Sequence, residues 1–189
     1  NKNPKTGNPY DIYKDGLKIF TTINPQMQEY AEIAVYRHMQ NLQKVFNSQK
    51  NIKDGSIWKT KDGKAILQAA MKQSERWKNG KEDEMTEEEI KKSFDEKVPM
   101  KVFAWNDKRE KDTVMTPLDS IKYHKQIMQV GFLSIDPQNG GVKAWVGGSN
   151  FKTFKFDHVN IYTKRQVGST FKPILYTVGV MNGYTPETV

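Results

Sequence analysis

Residues 129–148 read "QVGFLSIDPQNGGVKAWVGG". Two short runs, "QVGFLSID" and "VKAWVGG", flank the turn residues "PQNGG", a pattern that predicts an antiparallel hairpin. Its neighbours decide the fold class. A parallel α/β sheet requires strand and helix to alternate at a regular period, whereas here a hairpin stands between helical stretches. The fold class expected is therefore α+β.

Upstream, "GLKIFTTI" from Gly16 to Ile23 alternates apolar and polar residues and predicts a strand. Asn24 is placed to cap a helix with Pro25 in its first turn, and "PQMQEYAEIAVYRHMQNLQKVF" follows, with Ala31, Val35, His38, Leu42 and Val45 along one face. A second helix is expected from Lys64 to about Lys78. A third opens at Thr86, where Thr86 and Glu89 form a capping box. From Val98 the period changes to two, and "VPMKVFAW" and "KDTVM" around Asn106 and Asp107 predict another hairpin. Thr116, Pro117 and Asp119 then start a short helix through Met128. Downstream, a loop rich in glycine and aromatic residues leads to a helix from about Ser169 to Met181, closed by Gly183.

The 189 residues, 36% of them hydrophobic, suffice for a buried core. The chain has no cysteine, which excludes disulfides, thiolate metal sites and a cysteine nucleophile. No run approaches the roughly 20 apolar residues of a membrane span. The polar opening "NKNPKTGNPY" and the ending at Val189 are expected of an excised segment. A net charge of +8 favours anionic partners, but the lysines are scattered and no nucleic-acid motif is present, so nucleic acid is not expected as a partner. The basic region is Lys143 to Lys172, where Lys152, Lys155, Lys164 and Arg165 are opposed only by Asp157 and would draw a carboxylate-bearing substrate.

Within that region lies "RQVGSTFKP", Arg165 to Pro173, a serine three residues ahead of a lysine. On a helix this spacing brings hydroxyl and amine to one face. The pattern occurs three times, as Ser56/Lys59, Ser149/Lys152 and Ser169/Lys172. The first follows the turn pair Asp54 and Gly55, the second follows Gly147 and Gly148, and both are expected on solvated surface. The third is set apart by Pro173, which belongs in the first turn of a helix and so puts Ser169 at a helix N-terminus. Positive potential there stabilises an oxyanion and disfavours a protonated lysine. A helix end supplies at most about 2 kcal/mol, whereas lowering a lysine from about 10.4 to about 7 takes roughly 4.6 kcal/mol. Burial and a second positive group must add the rest. On pattern alone a nucleophile and a capping serine both stand. A P-loop does not, because Phe171 precedes Lys172 and Pro173 follows it.

Three stretches, "GFLSIDPQNGGVKAWVGG", "FKFDHVN" and "RQVGSTFKPILYTVGVMNGYTP", resemble the opening of the transpeptidase domain of class A penicillin-binding proteins. These are bifunctional peptidoglycan glycosyltransferase/transpeptidases. "YDIYKDGLKIFTTINPQMQEYAEIAV" resembles the segment that leads into that domain. The resemblance covers about Pro9 to Phe46 and Met115 to Val189. It implies a fragment of the penicillin-binding, serine β-lactamase-like fold: a linker over residues 1–48, an inserted helical/β subdomain over 49–129, and the N-terminal part of the transpeptidase domain over 130–189. Ser169 would attack the D-alanyl-D-alanine end of a stem peptide, with Lys172 as proton-transfer partner and the Ser169 N–H as one oxyanion donor. Stem peptides, β-lactams and cell-wall regulatory proteins are the implied partners. The implied location is the periplasmic, extracytoplasmic side of the inner membrane, reached through an N-terminal anchor of the parent outside this chain.

The family's later Ser-x-Asn and Lys-Thr/Ser-Gly motifs do not appear in residues 173–189, and the "KTG" at Lys5–Gly7 precedes the nucleophile in a turn-rich stretch. Loss of one oxyanion donor costs about 2.7–4 kcal/mol, so the chain by itself is expected to be nearly inactive. Alternatives are a serine β-lactamase or penicillin sensor, and a non-catalytic module that uses residues 47–127 to bind a partner. No cofactor or metal is expected, since His38, His124 and His158 lack metal spacing. His38 is expected to pack on its helix face. Trp145, Phe151, Phe154 and Phe156 are expected in the core or along a peptide groove, Tyr176 in the core, and the acidic helix from Thr86 to Glu96 as a solvated face.

Overall fold

The computed structural model describes residues 2–188. Helix α1 spans Pro25–Ser48; it starts where Asn24 accepts from the Met27 N–H and Pro25 has no N–H to satisfy. A helical layer follows, with α2 (Lys50–Lys53), a 3₁₀ turn (Ser56–Lys59), α3 (Lys61–Gln73), α4 (Glu75–Glu82) and α5 (Glu87–Ser93). Strands β1 (Val98–Phe103) and β2 (Glu110–Met115) pair antiparallel, Val98 opposite Met115 and Phe103 opposite Glu110. Helix α6 (Pro117–Lys125) returns to a second hairpin, β3 (Phe132–Ile135) and β4 (Val142–Val146), which carries a bulge at Ser134/Ile135. After a long loop, a 3₁₀ turn (Gly168–Phe171) runs into α7 (Lys172–Met181). Two separate two-stranded sheets among helices make the α+β class. Among the described residues no helix is long and apolar enough to cross a membrane.

Two clusters of buried apolar residues stand out among the described residues. Ala31 of α1 packs on Ala144 and Val146 of β4, with Val35 beside them. In the helical layer, Trp77, Ile90 and Phe94 pack together under Met71, Leu118 and Ile121. The expected capping box is present: the Thr86 N–H donates to Glu89 Oε2 at 2.9 Å, and the Glu89 N–H donates to Thr86 Oγ1 at 3.3 Å. Gly80 sits so close to Ile90 that a Cβ there would lie 2.7 Å from Ile90 Cγ1, which lets α4 and α5 meet.

Several expectations are corrected. Residues 17–23 form no strand; one backbone bond, from the Asn24 N–H to Lys143 O at 2.9 Å, ties the segment's end to β4, and Ile19 and Phe20 stay exposed. An alternating pattern becomes a strand only where a ladder partner exists. On α1 the buried positions are Ala31, Met39 and Gln43, whereas His38 and Val45 are exposed. A step of four from Val35 reaches Met39, so the face lies one residue away from the one drawn through His38. The helix expected over 64–78 is two helices, broken at Ser74 (ψ 151°), whose hydroxyl donates to Met71 O at 2.6 Å and accepts from the Trp77 N–H at 3.3 Å. Helix α6 stops at Lys125, before Met128.

Gln43 is a buried polar side chain with every role taken. Its amide donates to Gln126 O and Asn47 Oδ1, both at 2.9 Å, and accepts from the Met128 N–H at 2.9 Å. Gln43→Ala leaves the Met128 N–H without its side-chain acceptor, so a loss of about 1–3 kcal/mol is expected in urea unfolding. Ile90→Ala, in the tighter core, is expected to cost about 2–5 kcal/mol, whereas Phe20→Ala leaves the midpoint nearly unchanged.

Candidate active site

Ser169 lies in the 3₁₀ turn and Lys172 is the first residue of α7, with Pro173 in the first helical turn. The chain enters this turn through Gly168 at φ +52°, a left-handed conformation that favours glycine. The Ser169 N–H makes no backbone hydrogen bond among the described residues, while the Lys172 N–H donates to Ser169 O. No hydrogen bond joins the Ser169 hydroxyl to the Lys172 amine among the described residues; the hydroxyls that do bond here are Thr170, to Val167 O, and Thr177, to Pro173 O at 2.8 Å. Both members of the pair are exposed, as are Ile174, Leu175, Val178 and Val180 on the different sides of α7. Tyr176 is exposed as well, against its expected place in the core.

The other two pairs have other roles. Ser149 is buried, not on the surface as expected, and its hydroxyl donates to Met128 O at 2.9 Å. Lys152 turns away to Glu110 at 3.4 Å. Ser56 and Lys59 occupy a one-turn 3₁₀ helix in which Asp54 accepts from the Ser56 N–H at 2.8 Å; this bond, then one from the Ser56 side chain, holds the exposed Asp54 carboxyl below its ordinary value. Lys5–Gly7 forms a tight turn closed on Asn3, whose side chain accepts from the Lys5 N–H at 2.9 Å.

The loop between β4 and the Ser169 turn is anchored by Asp157. Its carboxylate accepts from Trp145 Nε1 at 3.0 Å and from the Val159 N–H at 2.8 Å, and its carbonyl accepts from Thr163 Oγ1 at 2.9 Å. A Cβ on Gly147 would come within 2.5 Å of Asp157 Oδ1, so only glycine fits beneath that carboxylate. Asp157 therefore organises the loop, a role that its reading as the charge opposing four cations did not contain. Further along, Arg165 donates to His158 Nδ1 at 2.9 Å.

Trp145, Phe151, Phe154 and Phe156 all line one cleft of about 380 Å³ between α1, the β1–β2 turn and this loop. Phe154 also packs edge-on against Phe103 at 5.4 Å, so it serves core and cleft together. Arg109 enters the same cleft from the β1–β2 turn. Nothing in the sequence singled out Arg109, because its position rests on a left-handed backbone, φ +57°.

Residues 53–128 match the family model described as the penicillin-binding protein middle domain. The chain is 35% identical over 105 residues to penicillin-binding protein 2D of Bacillus subtilis, which covers 56% of this chain and 14% of that protein. It is 39% identical over 61 residues to penicillin-binding protein 1A of Pseudomonas aeruginosa, 32% of this chain and 7% of that protein. It is 49% identical over 53 residues to penicillin-binding protein 1A of Escherichia coli, 28% of this chain and 6% of that protein. No solved structure matches. Over residues 53–128 the chain is thus similar to the penicillin-binding protein middle domain, and the curated proteins it resembles are penicillin-binding proteins. Its relatives are of the class A type, and it spans a small fraction of their length.

Burial, and then the Arg165 charge, lower the His158 pKa from its ordinary 6.5, with Asp157 acting in the opposite direction. Below 6.5 the unfolded chain then binds more protons than the folded one, so the stability present above 6.5 declines as pH falls toward the folded value. Following the His158 imidazole by NMR is expected to show a midpoint below 6.5 that moves up in Arg165→Ala.

Proposed function

We propose that this chain is the part of a bifunctional class A penicillin-binding protein that delivers the transpeptidase nucleophile. Residues 1–48 are then the linker, 49–129 the inserted middle subdomain, and 130–189 the start of the transpeptidase domain. Ser169 Oγ attacks the carbonyl of the penultimate D-alanine of a stem peptide and forms an ester as the C–N bond breaks. Lys172 takes the serine proton and passes it to the departing terminal D-alanine. An amine from a neighbouring strand then attacks the ester, which releases Ser169 and completes the cross-link. The Ser169 N–H serves as one oxyanion donor. β-Lactams mimic the dipeptide and acylate the same serine. The working location is the extracytoplasmic side of the inner membrane.

The observation that carries this reading is the Gly168-Ser169-x-x-Lys172-Pro173 turn at the head of α7, with its left-handed glycine, a Ser169 N–H that makes no backbone hydrogen bond among the described residues, and the serine–lysine spacing across the helix start. The exposure of α7 on every side supports it. A helix apolar all round is stable when covered, and a completed domain would cover it. Such cover also supplies the burial that a neutral lysine requires, since a helix end gives only about 2 kcal/mol of the roughly 4.6 needed.

Intact mass after incubation with a β-lactam tests the proposal on two proteins, this chain and one extended to the end of its parent. The extended protein is expected to gain one drug mass that Ser169→Ala abolishes. Lys172→Met is expected to slow the acylation by a factor of about 100 or more. The present chain is expected to gain little or none. A folded extended protein that stays unmodified overturns the assignment of Ser169.

A further inference from the structure

Arg109 occupies an unusual position at the tip of the β1–β2 hairpin. Its guanidinium lies 3.7 Å from the Tyr36 ring centroid and 5.7 Å from that of Trp105, so the planar group is held against aromatic faces. The residue is half-buried and its backbone N–H donates to Asn106 O at 2.9 Å, yet among the described residues its guanidinium makes no hydrogen bond and no ion pair within 4.0 Å. Its guanidinium donors are thus held against the aromatic faces without a hydrogen-bond acceptor among the described residues. With Glu84, it is one of the two non-glycine residues with left-handed backbone among those described, and such strain recurs where a side chain is held for use.

Two clefts meet at this residue. The first, about 380 Å³, has an aromatic wall of Trp145, Phe151 and Phe156. The second, about 390 Å³, holds Lys101, Lys108 and Lys152 around Glu110. Glu110 pairs with Lys101 at 3.0 Å and with Lys152 at 3.4 Å, Lys101 also lies 4.0 Å from Asp112, and Lys108 and Arg109 line the same cleft with no ion pair within 4.0 Å among the described residues. Asp157 is held by Trp145 and Val159, and Glu32 accepts from the Gln28 amide at 2.7 Å; Glu32 and Asp107 act on Arg109 through space, with no ion pair within 4.0 Å among the described residues. A planar donor fork suits a carboxylate. A row of cations beyond it suits several carboxylates in sequence, and the aromatic wall suits an apolar side chain between them.

We propose that the β1–β2 tip and loop 150–156 form a docking cleft for an acidic peptide segment of a partner protein. Arg109 grips a carboxylate of that segment, Phe151 and Phe156 take an adjacent apolar side chain, and the lysines around Glu110 receive the following acids. This site is separate from Ser169 and stands whether or not Ser169 is acylated.

The test titrates this chain calorimetrically, at physiological salt, with the blocked peptide acetyl-Glu-Phe-Glu-Glu-amide, its Gln-Phe-Gln-Gln analogue and its Glu-Ala-Glu-Glu analogue. The first peptide is expected to bind, and Arg109→Gln and Arg109→Lys are each expected to weaken it about tenfold, as loss of a bidentate charge-assisted pair requires. The Gln analogue is expected to fall by at least as much. The Ala analogue, and Phe151→Ala at a position that is 78% exposed and outside the core, are each expected to bind several-fold more weakly. Lys53→Gln, outside both clefts, is expected to leave binding unchanged. Equal weakening by Lys53→Gln and Arg109→Gln, or equal binding of the Phe and Ala peptides, means unspecific charge attraction and overturns the proposal. Absence of binding overturns it too. Self-association of the chain in sedimentation, abolished by Arg109→Gln, makes the occupant a second copy and overturns the assignment to a partner protein.

Discussion

Two glutamine amides on α1 hold the rest of the structure in place. A side-chain amide offers one acceptor and two donors, the pairing that an unpartnered stretch of extended backbone requires. Gln28 receives the Trp145 N–H at 2.7 Å and donates to Trp145 O at 3.0 Å, which closes β4 along its open edge. Gln43 does the same for Gln126 O and the Met128 N–H, where α6 passes into β3. The two lie 15 positions apart, about 22 Å along a helix at 1.5 Å per residue, so α1 is a strut between the hairpin and the helical layer.

Everything near the cleft depends on that strut. Gln40 donates to Trp105 O at 2.9 Å, and Tyr36 supplies the ring under Arg109, so the β1–β2 tip is fixed to the middle of α1. The Trp145 indole, held through its backbone by Gln28, in turn holds Asp157 and with it the loop that leads to Ser169. A displacement of α1 would move the aromatic wall, the hairpin tip and the loop together. The helical layer has its own core of Trp77, Ile90 and Phe94 and contributes to this arrangement mainly through α6.

The Ser169 turn contrasts with this. Its backbone is shaped locally, by Gly168, Pro173 and the 3₁₀ turn, with no tertiary contact required. Its surroundings are not, because Ser169 and Lys172 are both exposed and no hydrogen bond joins them among the described residues. The turn is thus shaped without being covered, in a chain that spans 14% of its Bacillus subtilis relative.

What the sequence determined by itself was local: the caps at Asn24, Thr86 and Thr116, the two hairpins around their turn residues, and the serine–lysine spacing at the head of α7. Each depends on a few neighbouring residues whose hydrogen bonds are satisfied within one or two turns of chain, so their identity suffices. Tertiary structure alone decided that "GLKIFTTI" lacks a ladder partner, that α1 buries Met39 rather than His38, and that Ser149 lies inside. It also decided the role of Gln28, Gln43, Asp157 and Arg109. Glutamine, aspartate and arginine ordinarily face water, and what removes them from it is a partner more than 60 positions away or, for Asp157, a loop folded back beneath a glycine. Periodicity records which face of an element is apolar; it does not record which backbone group across the fold lacks a hydrogen bond.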